Sequence, residues 1–292
     1  PNNSARDLVR TKSDAVGLVV RGVSNPFYTD IIRAIERTIT DAGFTMVMQQ
    51  IGTCDDEVKC GAVMEREKRL QGIVFLGGRF DYTPADLAML NVPFVCCSYS
   101  NRYGTLIEGE YSSVSIADGD TAQQAVEELY RHGHRRIAAL ISRPNDQSIS
   151  QLRYEGYVQA LESHGIPVDP ELVISTGGFG AKDAYRAVQE KMAENVDFTA
   201  LFAIADSMAI GAMRALMDAG RRIPEDCSVI AIDGLELSAY IEPPLTTLCQ
   251  PMEEMGRRSA EILLDMVRHK GSHACELLPT TLRQGRSVAA PG

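Results

Sequence analysis

AVGLVV (residues 15–20), FYTDIIRAIERTITDAG (27–43) and FTMVMQQ (44–50) follow one another near the start of the chain. The first is an unbroken apolar run, the pattern of a strand buried on both faces. The second carries Ile31, Ile32, Ile35 and Ile39 at helical spacing and closes on Gly43, which suits a C-terminal cap. The third reads as a strand again. EVKCGAVMEREKRL (57–70) is the next helix, GIVFLG (72–77) the next strand, and PADLAML (84–90) and PFVCCS (93–98) continue the alternation. Repeated strand–helix alternation predicts a parallel sheet covered by helices on both faces.

A second series begins near position 118. Its helices are DGDTAQQAVEELYRHG (118–133), ISQLRYEGYVQALESHG (149–165), AKDAYRAVQEKMAENV (181–196) and DSMAIGAMRALMDAG (206–220). Its strands are RIAALIS (136–142), ELVIST (171–176), ALFAIA (200–205) and CSVIAID (227–233). A tail follows: LTTLCQ (245–250), the helical PMEEMGRRSAEILLDMVRHKG (251–271), and strand-like CELLP (275–279) and TTLRQG (280–285). The prediction is an α/β chain of two doubly wound parallel-sheet subdomains, 14–131 with 250–277 and 132–249 with 278–292. Residues 1–13 form a separate hinge or linker segment. Open parallel sheets bind ligands beyond the carboxyl ends of their strands, so two facing sheets predict a ligand cleft between the subdomains.

The 292 residues are too many for one ordinary core and comfortable for two. With 45% hydrophobic and 23% charged residues the chain is not mainly disordered. It holds no apolar run of about eighteen residues, so no membrane partner is expected. PNNSARDLVRTKSD, at the start, is polar and unlike an export leader. A net charge of −10 repels nucleic acid phosphates over most of the surface, so any nucleic acid must be met by an atypical segment. The seven cysteines are odd in number and lack ligand spacing. Most lie in apolar runs, as Cys96 and Cys97 do, and read as buried thiols of a cytoplasmic protein.

The chain carries no HExxH, GxSxG or Walker A pattern. His269 and His273 are separated by Gly271, which breaks the helix a two-histidine metal site needs. His132 and His134 read as a helix terminus with its compensating charge. Gly177, Gly178 and Gly180 miss the dinucleotide-binding spacing. No catalytic residue, metal ligand or cofactor is therefore expected. What remains is a set of polar and aromatic residues at the carboxyl ends of strands. Ser24, Asn25, Phe27 and Tyr28 follow the first strand, and Asp118 opens the first helix of the second series. Arg153, Phe179, Asp206 and Asp233 follow later strands. Taken singly, an aspartate at a helix start is an N-cap and Phe179 is core. Together they offer carboxylates and a guanidinium for hydroxyl groups, and flat faces for C–H stacking, as a sugar-sized ligand requires.

VGLVV…SNPFYTDIIRAIE, ALFAIADSMAIGAMRALMDAGRRIPEDCSVIAIDG and YIEPPLTTLCQPMEEMG resemble the lactose- and galactose-repressor family of bacterial transcription regulators. RHGHRRIAALIS and RYEGYVQAL extend the likeness to essentially the whole chain. The resemblance implies a periplasmic-binding-protein-like effector core, a homodimer and a sugar effector. It also implies operator DNA bound through a headpiece absent from this chain. PNNSARDL looks like the end of such a headpiece and its hinge helix, with Ala5 and Leu8 in the Ala-x-x-Leu pattern. By that likeness Leu8 wedges into the minor groove and Asn2 lies beside the DNA backbone.

Phe27, Tyr28, Asp118, Arg153, Phe179, Asp233 and Gln250 match pocket positions of the family. In sugar-responsive relatives the matching arginine and aspartate bind hydroxyls, and the aromatic at Phe179 packs on the ring. Ala205-Asp206 stands where the family has Asn-Asp, leaving Ser207 or water to replace the lost amide. Gly234 replaces a common second aspartate after Asp233. Two rival readings are a periplasmic sugar-binding protein of a transporter and an enzyme using Asp118, Asp206 or Asp233 as acid or base.

Overall fold

The computed structural model describes residues 14–22, 26–53, 55–107 and 109–292. Asn2, Leu8, Ser24, Asn25, Cys54 and the expected hinge segment lie outside the described residues. In chain order come β1 (Ala15–Arg21), α1 (Tyr28–Asp41), β2 (Thr45–Ile51), α2 (Glu57–Lys68), β3 (Gly72–Leu76), α3 (Pro84–Leu87), β4 (Phe94–Cys97) and β5 (Ser113–Ser115). Next are α4 (Asp118–Arg131), β6 (Ile137–Ile141), α5 (Ile149–Ser163), β7 (Val173–Ser175), α6 (Ala181–Ala193), β8 (Ala200–Ala203) and α7 (Asp206–Asp218). β9 (Ser228–Asp233), β10 (Thr246–Cys249), α8 (Met252–His269), β11 (Cys275–Leu277) and β12 (Thr281–Arg283) complete the order.

Two compact units share these elements. Unit 1 takes the chain to Ser115 and Pro251–Leu278; unit 2 takes Ile116–Gln250 and Pro279–Gly292. The unit 1 sheet runs β11-β5-β4-β3-β1-β2, with all its pairs parallel. The unit 2 sheet runs β12-β10-β9-β8-β6-β7 in the same pattern, except that β12 pairs antiparallel with β10 at the edge. Strands β3, β4, β6, β8 and β9 are buried at every residue, as both-face helix cover demands.

Local sequence explains the helix ends. α1 buries Ile31, Ala34, Ile35 and Ile39 and leaves Ile32 half-buried. Gly43 takes φ +85°, so its N–H reaches Thr40 O while the Phe44 N–H reaches Ile39 O. That paired closure needs the left-handed conformation that glycine adopts without strain.

The first crossing between units differs from the sequence expectation. It falls at Ser115/Ile116, not at 131/132, so α4 belongs to unit 2. Ala122, Ala125, Val126 and Leu129 of α4 are part of the unit 2 core. Gly119 lies against Gly156 of α5, where an added Cβ would stand 2.1 Å from the Gly119 carbonyl oxygen. The other crossings fall at Gln250/Pro251 and Leu278/Pro279, one residue beyond the expected positions.

Each main helix pair closes on such a glycine. A Cβ on Gly256 of α8 would lie 2.4 Å from the Ile31 oxygen of α1, and one on Gly211 of α7 2.0 Å from the Ala181 oxygen of α6. Alanine in a helix is favoured over glycine by about 1 kcal/mol. Here the obstacle is backbone, which cannot swing aside, and overpacking costs about 1–3 kcal/mol. Gly211→Ala is therefore expected to lower the melting temperature despite its helix propensity. An unchanged or higher value in a thermal melt would contradict this packing.

Candidate functional site

The carboxyl ends of β8, β9 and β10 converge with the starts of α4 and α5 in unit 2. Asp118 is the first residue of α4 and Arg153 lies in the second turn of α5. Asp233 ends β9, and Gln250 follows β10. All four are buried. The Arg153 Nε donates to Asp118 Oδ1 at 2.9 Å. Its Nη1 donates to the Ile204 carbonyl just past β8 and to Asp233 Oδ1 at 3.4 Å. Gln250 Nε2 donates to the same Asp233 oxygen at 2.8 Å. Asp233 Oδ2 and Gln250 Oε1 are buried with no hydrogen-bond partner.

One guanidinium thus serves two carboxylates inside the protein. Burial pushes the Asp118 carboxyl above its usual range against the pull of Arg153. It pushes Asp233 up to about 7, again against Arg153 and with the charge of Asp206 adding repulsion. Asp233 also sits at φ +138°, a region nearly reserved for glycine. Such strain costs about 1–3 kcal/mol and gathers at functional sites. Gly234 follows at φ +80°, and a Cβ there would stand 2.7 Å from Cys249 Cα, so the backbone has no room for a second aspartate.

The other expected ligand residues are placed differently. Asp206 is buried, with both oxygens engaged inside unit 2. Its Oδ1 accepts from Thr247 Oγ1 at 2.6 Å; its Oδ2 accepts from the Leu235 N–H at 2.8 Å and Ser238 Oγ at 2.7 Å. It holds the turn after β9, next to Asp233, and leaves no carboxylate oxygen unpaired. Ser207 donates its hydroxyl to the Phe179 carbonyl at 2.8 Å, so its proton is not available to replace an amide at Ala205. Phe179 is half-buried against the unit 2 core. Phe27 and Tyr28 belong to unit 1, their ring centroids 5.6 Å apart.

Histidines and cysteines are accounted for by packing. His132 caps α4 through the Glu128 carbonyl, whereas His134 is buried between Thr199 Oγ1 and the Ala289 carbonyl. Burial holds the His134 ring below its usual pKa. His269 ends α8, and His273 faces Ser112 Oγ at 3.1 Å. Cys96, Cys97 and Cys227 are buried and Cys60 and Cys249 half-buried, but Cys275 is exposed, so not every thiol lies in a core.

Known proteins resemble the chain over most of its length. A family model for the periplasmic binding protein-like domain matches residues 126–288. The HTH-type transcriptional regulator MalR of Clostridium butyricum is 36% identical, over 97% of this chain and 84% of its own length. The chain belongs to the LacI family of transcriptional regulators. Among solved relatives, the transcriptional regulator CelR–cellobiose complex is 30% identical with a TM-score of 0.83, over 98% of this chain and 89% of that one. The lac repressor dimer bound to operator and the anti-inducer ONPF shares the fold, with a TM-score of 0.83 over 99% of both chains at 24% identity. In this LacI-family chain no helix among the described residues is long and apolar enough to cross a membrane.

Proposed function

We propose that this LacI-family chain is the dimeric effector core of a cytoplasmic repressor that senses a small neutral carbohydrate. The observation that carries the reading is the pair of unpartnered acceptors, Asp233 Oδ2 and Gln250 Oε1, beside a buried Arg153. Leaving a buried acceptor unmade costs about 1–3 kcal/mol, and a sugar hydroxyl supplies the missing proton. Phe179, half-buried, offers a ring face in the same unit. Two carboxylates around one guanidinium make the centre net acidic when both are ionised, which disfavours phosphorylated ligands. The cellobiose bound in the CelR complex supports the same ligand class.

Bound sugar changes affinity for a palindromic operator, to which Leu8 and Asn2 contribute. The test is a thermal-melt screen with cellobiose, glucose, ribose, glucose 6-phosphate and adenine, with Asp233→Ala alongside. A neutral sugar at a hundredfold over its Kd adds about 2.7 kcal/mol, a shift of roughly 5–10 °C. The shift is expected in the wild type and not in the variant. Stabilisation by glucose 6-phosphate or adenine alone would overturn the assignment of ligand class.

A further inference from the structure

Unit 2 carries a cavity of about 410 Å³ at the amino edge of its sheet. Pockets that hold small ligands run from about 300 to 1,000 Å³. The wall is made by Thr199 ahead of β8, by the turn that leads from α7 into β9, and by Pro291. Asp233 ends β9, so the cavity and the Asp233 centre lie at opposite ends of one strand, roughly 20 Å apart. Pro291 is held at the wall through Ala289, whose carbonyl accepts from Ser228 Oγ at 3.1 Å and whose N–H donates to the same oxygen at 3.0 Å. The Thr199 hydroxyl is engaged by His134 Nδ1 at 3.0 Å and is spent inside the fold.

Four charged residues line this cavity, and two of them cancel. Arg222 donates its Nε and its backbone N–H to Asp226 Oδ2, each at 2.9 Å, and its Nη2 to Oδ1 at 2.8 Å. Those bonds hold the Asp226 carboxyl well below the usual carboxylate range. Arg221 is less committed. Its Nη2 donates to the Phe198 carbonyl at 3.0 Å and faces the exposed Asp197 at 3.6 Å, but its Nε is buried with no hydrogen-bond partner. Six buried side-chain polar atoms among the described residues lack a partner, and Arg221 Nε is the one at an amino edge of a sheet. Glu225 is exposed and makes no hydrogen bond or ion pair among the described residues. An unpaired guanidinium N–H needs an acceptor, and a free carboxylate needs a cationic donor. A simple anion would meet Glu225, and a simple cation would meet Arg221. A zwitterion satisfies both, and the rings of Pro224 and Pro291 give a short aliphatic group apolar surface.

We propose that this cavity binds a free α-amino acid, whose carboxylate accepts from Arg221 and whose ammonium group meets Glu225. The site lies wholly in unit 2 and shares no residue with the Asp233 centre, so it stands or falls independently of the sugar reading. The full-length regulator is titrated by calorimetry with glycine, L-alanine and L-glutamine, and with acetate and methylammonium as the two charges taken singly. At least one amino acid is expected to bind, and at least about tenfold more tightly than acetate or methylammonium. Glu225→Lys sets a cation against the ammonium group and is expected to weaken that binding at least about tenfold. Its ligand-free melting temperature is expected to stay within about 2 °C of the wild type, because the Glu225 carboxylate holds nothing in the fold. Arg221→Gln is expected to weaken binding as well, at a lower melting temperature, since it also gives up the bond to Phe198. The site is overturned if none of the three amino acids binds, if acetate binds as tightly as they do, or if Glu225→Lys binds them like the wild type. Loss of amino-acid binding in Asp233→Ala overturns it too, by placing the ligand at the other end of β9.

Discussion

Arg153→Met is expected to lower the melting temperature by roughly 6–20 °C and to abolish sugar-induced stabilisation. The side chain lies between Asp118 and Asp233, is 2% exposed, and is their shared counter-charge. Removing one partner of a buried ion pair costs about 3–5 kcal/mol, because the remaining charges stay in the protein without compensation. For a unit of this size each kcal/mol moves the midpoint by roughly 2–4 °C. The triple variant Arg153→Met, Asp118→Asn, Asp233→Asn separates stability from recognition. It is expected to regain most of the lost stability, since no buried charge remains, yet to bind no sugar. Circular-dichroism melts of both proteins, with and without sugar, check the two parts. A single variant as stable as wild type would show that Arg153 is not the electrostatic centre of unit 2.

The second large effect concerns pH. Burial raises the Asp233 carboxyl to about 7, whereas an unfolded aspartate titrates near about 3.9. Between these values the folded protein keeps a proton that the unfolded chain has released. Stability contributed by that proton is complete below about pH 4 and is lost as pH rises through about 7. The gap corresponds to at most on the order of 4 kcal/mol. Asp233→Asn keeps an acceptor for Gln250 and Arg153 but cannot ionise. It is expected to lose this slope and to exceed the wild type in stability at pH 8. Denaturant melts at pH 5, 6, 7 and 8 measure it. Parallel curves for the two proteins would mean that Asp233 titrates like an exposed aspartate.

Much of the architecture is legible because parallel strands buried on both faces leave unbroken apolar runs, as in AVGLVV and RIAALIS. The alternation of those runs with helices gives the two sheets. The allegiance of α4 is not legible. Helical periodicity marks Ala122, Ala125 and Leu129 as a buried face without saying which core receives them. The close approach of Gly119 and Gly156, 37 residues apart, decides that.

The site follows the same division. Asp118, Arg153 and Asp233 are marked both by the carboxyl ends of strands and by the family likeness, and Gln250 by the likeness alone. Asp206 shares that position, but its hydrogen-bond donors come from Leu235, Ser238 and Thr247, which no local pattern ties to it.

The proposed function requires that a neutral sugar held by these residues change affinity for DNA. The most direct test is fluorescence anisotropy of a palindromic operator from beside the regulator's own gene. The full-length regulator is titrated with and without saturating amounts of the sugar that stabilises it. A coupling of about 1–3 kcal/mol predicts that operator affinity changes by roughly 5–150-fold. The same sugar is expected to leave Asp233→Ala unchanged. Operator affinity that stays constant at saturating sugar in the wild type would contradict the claim.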